Sequence, residues 1–535
     1  MAQPVDKGGR QRKAVVMRGK SGYSGTPRGN QRCLQPVIGV MYLKRIPRKR
    51  GIRLTGALLS ILFSLLSPLG AGQEYNLPEM GDPSGSLLSP VEEKRLGQAF
   101  MRSVKRSMKV IATPMMTSYI QSLGDRLVQH SEAPGREFHF FLVDSPQINA
   151  FAGPGGFIGV NTGLVIITES ESELASVVSH EIAHVTQNHL LRTFNSVRQL
   201  SLPATALAIA AVVLGAATNN AQAGLAAATG LQAGVAQAQI NFTRANEIEA
   251  DAVGIHTLAE AGFDPQAMAD FFERMGKATR LYDNGKVPEF LRTHPVTPNR
   301  TAAARARAAQ YPYRQRPDSL RYHLFRATLK ALDFSSPKAA VKHFSRTLKE
   351  RRYRNEEGER YGYVLALIAD QNYREANRQL KMLLDKRPDQ IEYIVAHALL
   401  LKHSGNAEEA LDVTRKALEL YPGDYPLSMF YAQALIDQQH PKEALRVLEE
   451  LLRGRPQDEL LFKLLAQAAS DAGKPNLARQ YLAEYYYLSG ALEPAIQQLN
   501  IALRSPATSD YQVAQMTARL HELEEEKAAL VKRRQ

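Results

Sequence analysis

The alternation of apolar and polar positions gives the first half of the chain a mixed character. Helical spacing, with apolar residues three and four apart, runs from Val91 to about His130, and the apolar segment Phe138–Val143 that follows is typical of a strand. Residues 148–167 are mostly apolar but are broken by a Gly-Pro-Gly-Gly sequence, which predicts two short strands. Helical spacing returns over Glu169–Phe194 and again from Asn241 to about Ala261. This order of helix, strands and helices predicts an α+β domain.

The second half of the chain is helical throughout and repeats itself with a fixed period. Alanines recur every 34 residues, at positions 376, 410, 444 and 478. Prolines follow the first three of these alanines after twelve residues, at positions 388, 422 and 456. A period of 34, a small residue where two helices cross and a proline after the second helix are typical of the tetratricopeptide repeat. With an irregular helix pair predicted over 320–351 and a charged helix over 520–535, an all-α solenoid follows the α+β domain.

The first 72 residues predict a leader. From Met41 onwards, six basic residues precede an apolar run at Leu54–Leu69, and three small residues follow that run. This three-part pattern is typical of a secretory signal peptide, with a retained anchor as the alternative interpretation. Because everything after Met41 makes a complete signal peptide, Met41 is a candidate for the true start. We therefore predict a leader at 1–72, the α+β domain at 73–315 and the solenoid at 316–535.

The positive charge of the chain lies almost entirely in this leader. The whole chain has a net charge of +14, whereas residues 1–72 carry 14 Lys or Arg residues and one acid. The remainder is nearly neutral, which argues against binding of nucleic acid. The single cysteine, Cys33, also lies in the leader, so the exported part has no disulfide framework. Export without disulfides suits the periplasm of a Gram-negative bacterium.

The clearest chemical signal is the segment HEIAH at 180–184. On a helix, His180 and His184 lie on one face one turn apart, so both imidazoles can bind one Zn²⁺ ion. Glu181 is then placed to act as a general base. Two structural histidines on a helix are the alternative. Leu190 stands where the third histidine of the metzincin pattern would be, which argues against that pattern. His189 is one residue away from that position and is expected to be structural or to lie near the cleft.

A third ligand is expected from a second helix, in the segment NEIEAD at 246–251. Glu247 and Asp251 are four residues apart and share a face, so Glu247 can bind the metal while Asp251 orients a ligand histidine. Glu249 points about 160° away from that face by ideal helical geometry. Without the upstream motif, two acids at this spacing would more simply be solvated.

A helix with HExxH followed by a helix with ExxAD resembles the gluzincin peptidases related to HtpX and the CAAX prenyl proteases. The exported branch that carries a C-terminal tetratricopeptide array is the nearer resemblance. It implies a zincin-type metallopeptidase domain with one Zn²⁺ per chain on His180, His184 and Glu247, and Glu181 as the base. It also implies a periplasmic role in the assembly and quality control of outer-membrane proteins.

A strand edge beside the metal could pair with an extended peptide by main-chain hydrogen bonds. Pairing of this kind would select unfolded segments rather than a particular sequence. An ordinary sheet strand is the alternative. The candidate edge residues are Gly156, Phe157, Ile158, Gly159 and Val160.

His294, which precedes Pro295, is the candidate for regulation. In the family that the chain resembles, this histidine can reach the zinc as a fourth ligand and hold the enzyme latent. A simple turn residue is the alternative. Arg300, six residues further on, is a candidate partner for a carboxylate or a substrate carbonyl.

These observations predict a periplasmic zinc endopeptidase that degrades misassembled or unfolded outer-membrane proteins and assists β-barrel assembly. The alternative is mainly a tetratricopeptide chaperone or scaffold for outer-membrane protein assembly, with latent protease activity. Unfolded outer-membrane proteins are the expected partners, together with the barrel assembly machinery through the repeats. The apolar segment 202–217 is a buried helix or hairpin, a lid or membrane-surface element, or a membrane span.

Overall fold

The computed structural model describes residues 89–194, 244–281, 289–312, 316–505 and 510–531. The described residues all belong to one compact unit. The predicted leader and the apolar segment 202–217 lie outside the described residues, so their assignments stay predictions. Among the helices that are described, none is both long and apolar enough to cross a lipid bilayer.

The first part of the chain combines helices with four short strands. In chain order the described elements are α1 (Pro90–Ser107), β1 (Val110–Ile111), α2 (Pro114–Val128), β2 (His139–Val143), β3 (Ala150–Ala152), β4 (Phe157–Asn161), α3 (Thr162–Ile167), α4 (Glu171–Thr186), α5 (His189–Phe194), α6 (Arg244–Glu260), α7 (Gln266–Leu281), α8 (Glu289–Thr293) and α9 (Pro298–Ala308).

The four strands form one sheet in the order β1-β2-β4-β3. β4 pairs with β2 in parallel and with β3 antiparallel, so Gly159 lies opposite both Phe141 and Phe151. The prediction that Gly156, Phe157, Ile158, Gly159 and Val160 present a free edge is therefore wrong. The backbone groups on both sides of β4 are already used by its neighbours, which leaves no side for a peptide. In the described sheet the outermost strands are β1 and β3.

Three predicted element boundaries differ from the structure. The helix expected over Val91–His130 is interrupted by β1, and α2 begins at Pro114 in the first helical position. The second strand predicted within 148–167 ends at Asn161, and α3 follows it. The apolar residues of α3 are largely buried, so the sequence shows no period that would distinguish a helix from a strand there. The helix over 169–194 is divided at Asn188, whose positive φ of 52° ends the helical path.

The apolar core of this part lies where α2, α4, α6 and α7 meet the sheet. α4 and α6 pack against each other at unusually short range. A Cβ atom added at Gly254 of α6 would lie 3.2 Å from the backbone nitrogen and Cα of His180 on α4. The absence of a side chain at Gly254 therefore allows the two motif-bearing helices to touch.

The second part is a continuous series of helices. They are α10 (Leu320–Asp333), α11 (Pro337–Glu350), α12 (Glu356–Ala369), α13 (Tyr373–Leu384), α14 (Ile391–His403), α15 (Ala407–Leu420), α16 (Tyr425–Asp437), α17 (Pro441–Gly454), α18 (Glu459–Asp471), α19 (Pro475–Leu488), α20 (Leu492–Leu503) and α21 (Asp510–Val531). The four alanines of the repeat are all buried where helices cross: Ala376, Ala410, Ala444 and Ala478. The predicted α+β domain with a helical solenoid is confirmed.

The start of the solenoid is attached to the N-terminus of α4. The buried carboxylate of Glu171 accepts hydrogen bonds from the Ser319 backbone N–H (2.9 Å), the Ser319 hydroxyl (2.7 Å) and the Tyr119 hydroxyl (2.9 Å). In return, the Glu171 N–H donates to Asp318 at 2.8 Å. Tyr322 adds a hydrogen bond from its hydroxyl to the Thr168 carbonyl (3.1 Å). The first turn of the helix that carries HExxH is therefore hydrogen-bonded to the residues that precede the first helix of the solenoid.

The far end of the solenoid contacts α1. The Arg102 guanidinium lies 4.4 Å above the ring of Tyr487 and donates to its hydroxyl at 2.9 Å. Lys105 donates to the Leu488 carbonyl at 3.1 Å and forms an ion pair with Glu459 at 2.7 Å. The solenoid is thus joined to the α+β part at both of its ends.

Replacing Glu171 with alanine should destabilise the protein measurably. The change leaves buried hydroxyl and N–H donors of Tyr119 and Ser319 without an acceptor, so we expect the free energy of unfolding to fall by about 2–3 kcal/mol. Urea denaturation is the measurement. Glu408→Ala is the control, since Glu408 also lies in the first turn of a helix, α15, but is exposed. Equal effects of the two substitutions would contradict a structural role for this junction.

Candidate metal centre

The HExxH segment lies in the C-terminal half of α4. Ser170 caps this helix by accepting a hydrogen bond from the Glu173 N–H at 3.1 Å. His180 and His184 are both 1% exposed, and their Nε2 atoms lie 3.0 Å apart. Two imidazoles this close and this deeply buried need a common partner or a bridging proton.

Glu247 approaches the same point from α6. Its Oε2 atom lies 3.6 Å from His180 Nε2, and its Oε1 atom lies 3.5 Å from His184 Nε2. The short packing distance at Gly254 makes this approach possible. Although burial opposes ionisation, the neighbouring His294 and His180 hold the pKa of the Glu247 carboxyl well below its usual range.

His294 completes the group from the turn after α8. Its Nδ1 atom lies 3.3 Å from His180 Nε2 and 3.1 and 3.2 Å from the two oxygens of Glu247. One ligand atom each from His180, His184, Glu247 and His294 can therefore be chosen so that all four lie within 4.8 Å of one another. A tetrahedron with metal–ligand bonds of about 2.0 Å has edges of about 3.3 Å. The observed spacings match that size, so the donor set fits a zinc ion.

Glu181 lies next to this group and is 1% exposed. The backbone of Ala152 in strand β3 favours the ionised form of its carboxylate. Within the described residues its Oε1 atom has no hydrogen-bond partner, and that atom lies 3.4 Å from His294 Nε2. Burial raises the pKa of the Glu181 carboxyl, although His294 and His180 oppose the shift. A buried carboxylate with one unused oxygen is suited to accept a proton.

Asp251 and Arg300 form a buried ion pair behind the group. Asp251 Oδ1 lies 3.0 Å from His180 Nδ1. The Arg300 guanidinium donates to both Asp251 oxygens, at 2.8 and 2.7 Å, and also lies 2.7 Å from Glu247 Oε2. It stacks on Phe272 at 4.9 Å and donates to the Pro295 carbonyl at 3.0 Å. Despite the cost of burial, Arg300 and His180 hold the pKa of Asp251 below its usual value.

Sequence reasoning gave two residues beside the centre no function. His189 Nδ1 lies 2.8 Å from His184 Nδ1, and His189 Nε2 lies 3.1 Å from a carboxylate oxygen of Glu249. His189 fits none of the ligand spacings, and ideal helical geometry turns Glu249 away from Glu247. The sequence offers one signal: each of these two residues lies within five positions after a candidate ligand. The turn at Asn188 is what brings His189 to Glu249.

The comparisons with known proteins agree with this division of the chain. The pattern of peptidase family M48 matches residues 114–308, and that of the tetratricopeptide repeat matches residues 401–468. The putative beta-barrel assembly-enhancing protease of Vibrio cholerae is 38% identical over 339 residues, which cover 63% of this chain and 69% of the relative.

Two further relatives show the range of similarity. The beta-barrel assembly-enhancing protease of Escherichia coli K12 is 36% identical over 356 residues, covering 66% of this chain and 72% of the relative. The mitochondrial metalloendopeptidase OMA1 of Arabidopsis thaliana is 29% identical over 165 residues, covering 31% and 30%.

The similarity to the Vibrio cholerae relative extends through most of both chains, and the M48 match contains both motif-bearing helices. The chain therefore belongs to peptidase family M48, as a zinc metalloendopeptidase with a C-terminal tetratricopeptide array.

Proposed function

We propose that His180, His184 and Glu247 hold the catalytic zinc ion and that Glu181 is the general base of peptide hydrolysis. The observation that carries this proposal is the buried group of ligand atoms from α4, α6 and the His294 turn, all within 4.8 Å. A zinc ion in such a site supplies Lewis acidity and lowers the pKa of a coordinated water molecule towards about 7.

The protein residues then have separate tasks. Glu181 takes the proton from the attacking water and can pass it to the leaving amine. The Asp251 carboxylate lies 3.0 Å from His180 Nδ1 and favours the tautomer with its hydrogen on Nδ1, which leaves the Nε2 lone pair for the ligand group. Arg300 fixes Asp251 and Glu247 together.

Strand β3 is the better candidate for contact with the substrate backbone. Gly153 donates to the Phe157 carbonyl and Asn161 donates to the Asn149 carbonyl, so the odd-numbered residues of this segment bond to β4. By the alternation of an antiparallel pair, Ala150 and Ala152 turn their backbone groups to the outer side. The Ile148 carbonyl on that side already accepts from the Phe290 N–H, so an extended peptide would pair at Ala150, next to the Ala152 backbone that acts on the Glu181 carboxylate.

We further propose that the substrates are unfolded or misassembled outer-membrane proteins and that the protein assists β-barrel assembly in the periplasm. The signal peptide pattern supports export, and the printed names of the relatives from Vibrio cholerae and Escherichia coli refer to β-barrel assembly. The tetratricopeptide array supplies a large surface for an outer-membrane client or for the assembly machinery.

The position of His294 supports a latent resting state. Its Nδ1 atom lies at the fourth corner of the ligand group, while its Nε2 atom lies 3.4 Å from Glu181 Oε1. A catalytic zinc site needs an open position for water or substrate. His294 would fill that position and contact the base at the same time.

The same geometry favours a second candidate function. If His294 stays in place during most encounters, the protein acts mainly as a scaffold that holds barrel proteins through its repeats. Proteolysis would then be restricted to clients that displace His294. One molecule can have both functions. The balance between them would depend on how often His294 leaves the fourth position of the ligand group.

Glu181→Gln should abolish proteolysis without removing the metal. The amide cannot accept the proton, so we expect cleavage of casein to fall by at least about 100-fold while zinc content stays at one ion per chain. Zinc is measured by atomic emission and cleavage by release of labelled peptides. Chelation of the wild-type protein should also stop cleavage. Casein cleavage that persists after verified removal of the metal would contradict the proposed mechanism.

His294→Ala should be more active than the wild type. Removing the imidazole opens the fourth position and frees Glu181, and we expect casein cleavage to rise about tenfold, as for a latent state favoured by about 1.4 kcal/mol. His130→Ala, which changes an exposed histidine, is the control. Unchanged or slower cleavage by His294→Ala, with zinc retained, would remove His294 as a latency switch.

Arg300→Lys should weaken zinc binding. A lysine ammonium cannot bond both Asp251 oxygens and also reach Glu247, so the third ligand loses its support and we expect the zinc dissociation constant to rise about tenfold or more. Arg305→Lys is the matched control, because Arg305 lies on the same helix in an exposed ion pair with Glu273. Competition with a chromogenic chelator gives both constants, and equal values would refute the role of Arg300.

A further inference from the structure

A chain of three side chains leads away from the metal centre through His184. His184 Nδ1 lies 2.8 Å from His189 Nδ1, with the two rings inclined at 70°. His189 Nε2 lies 3.1 Å from Glu249 Oε2. His189 is 0% exposed, whereas the Glu249 side chain is 41% exposed, so the chain runs from the buried centre to the surface of α6.

With neutral rings and His184 as a ligand, one arrangement of hydrogens satisfies the contacts between these three side chains. His184 Nε2 faces the other ligand atoms and must keep its lone pair, so its Nδ1 carries the hydrogen and donates. His189 Nδ1 is then the acceptor, which places the second hydrogen on His189 Nε2. That N–H donates to the Glu249 carboxylate. Each atom thereby fixes the tautomer of the next.

The backbone turn that brings these three residues together has a conformational cost. Asn188 takes a positive φ of 52°, which is unfavourable for a residue other than glycine, and it turns the chain so that His189 begins α5 beside His184. Glu249 belongs to the same helix as Glu247 but faces the opposite way, towards His189. α6 therefore contacts the histidines of α4 in two ways. Glu247 reaches them directly, and Glu249 reaches His184 through His189.

We propose that His189, held by Glu249, is a positioning residue that orients His184 for metal binding. It is the counterpart of Asp251, which lies against Nδ1 of the other histidine at 3.0 Å. One ligand histidine is thus oriented by a carboxylate directly, and the other through an intervening imidazole. Partners of this kind fix the ring and raise the basicity of the ligand nitrogen. This inference rests on the ligand set proposed above.

Zinc affinity of the full-length protein tests the proposal. His189→Phe keeps the bulk of the ring but removes the acceptor, and we expect the zinc dissociation constant to rise by about 10–100-fold. His189→Asn places an amide oxygen near the position of Nδ1 and should recover most of that loss. Glu249→Ala, at a half-exposed site, should raise the constant several-fold. His256→Phe is the matched control, since His256 is an exposed histidine on α6.

A second readout reports on the ligand itself. Cobalt(II) substituted for zinc has visible absorption bands that depend on ligand orientation, and His189→Phe should shift them while His256→Phe leaves them as in the wild type. The expected order of zinc affinities is wild type and His256→Phe, then His189→Asn, then His189→Phe. If His189→Phe is folded and binds zinc as tightly as the wild type, the positioning role is wrong although the ligand set stands.

Two further outcomes also decide the matter. If His189→Phe does not fold, Glu249→Ala carries the test, and wild-type zinc affinity and cobalt spectra in that variant would overturn the proposal. If the wild-type protein itself binds no zinc, the ligand set fails, and the positioning role fails with it.

Discussion

The structure depends on the burial of charged side chains between two helices that touch. Glu181, Glu247 and Asp251 are all nearly inaccessible to solvent, and Arg300 is the cation placed among them. Isolated charges at such depth would cost far more than the stability of a domain. With neutral histidines, three carboxylates and one guanidinium leave a net charge of −2, which a zinc ion would cancel. A metal ion at this site would therefore contribute to the electrostatic balance of the core as well as to the chemistry.

The chemical motifs could be predicted from the sequence because they follow the helical period. His180 and His184, and likewise Glu247 and Asp251, are four residues apart, which is one turn of a helix whatever surrounds it. The 34-residue repeat is equally local, since each unit contacts chiefly its neighbours. The order of the strands could not be predicted, because the pairing of β4 with strands on both sides depends on contacts with distant parts of the chain. For the same reason the edge strand was misassigned.

The supporting residues show the second limit of sequence reasoning. His189 misses the spacing of a known ligand pattern, and ideal helical geometry turns Glu249 away from Glu247. Spacing along the chain does not reveal which residues lie behind a ligand. A residue that faces away from a ligand group can still hold that group through an intermediate, and here the intermediate reaches α6 only because the chain reverses at Asn188. No periodic pattern in the sequence predicts this contact between His189 and Glu249.

The attachment of the His294 turn explains how a latent state could be reversible. Arg300 donates to the Pro295 carbonyl and also binds Asp251 and Glu247, so the far side of the turn is anchored on the ligands themselves. On the near side, the Phe290 ring is fully buried and packs against Phe271. Between these anchors His294 can leave the fourth position by a local change, because Arg300 also holds Glu247. Opening the site would then cost the contacts of the His294 imidazole with His180, Glu247 and Glu181, while the ion pairs of Arg300 stay in place.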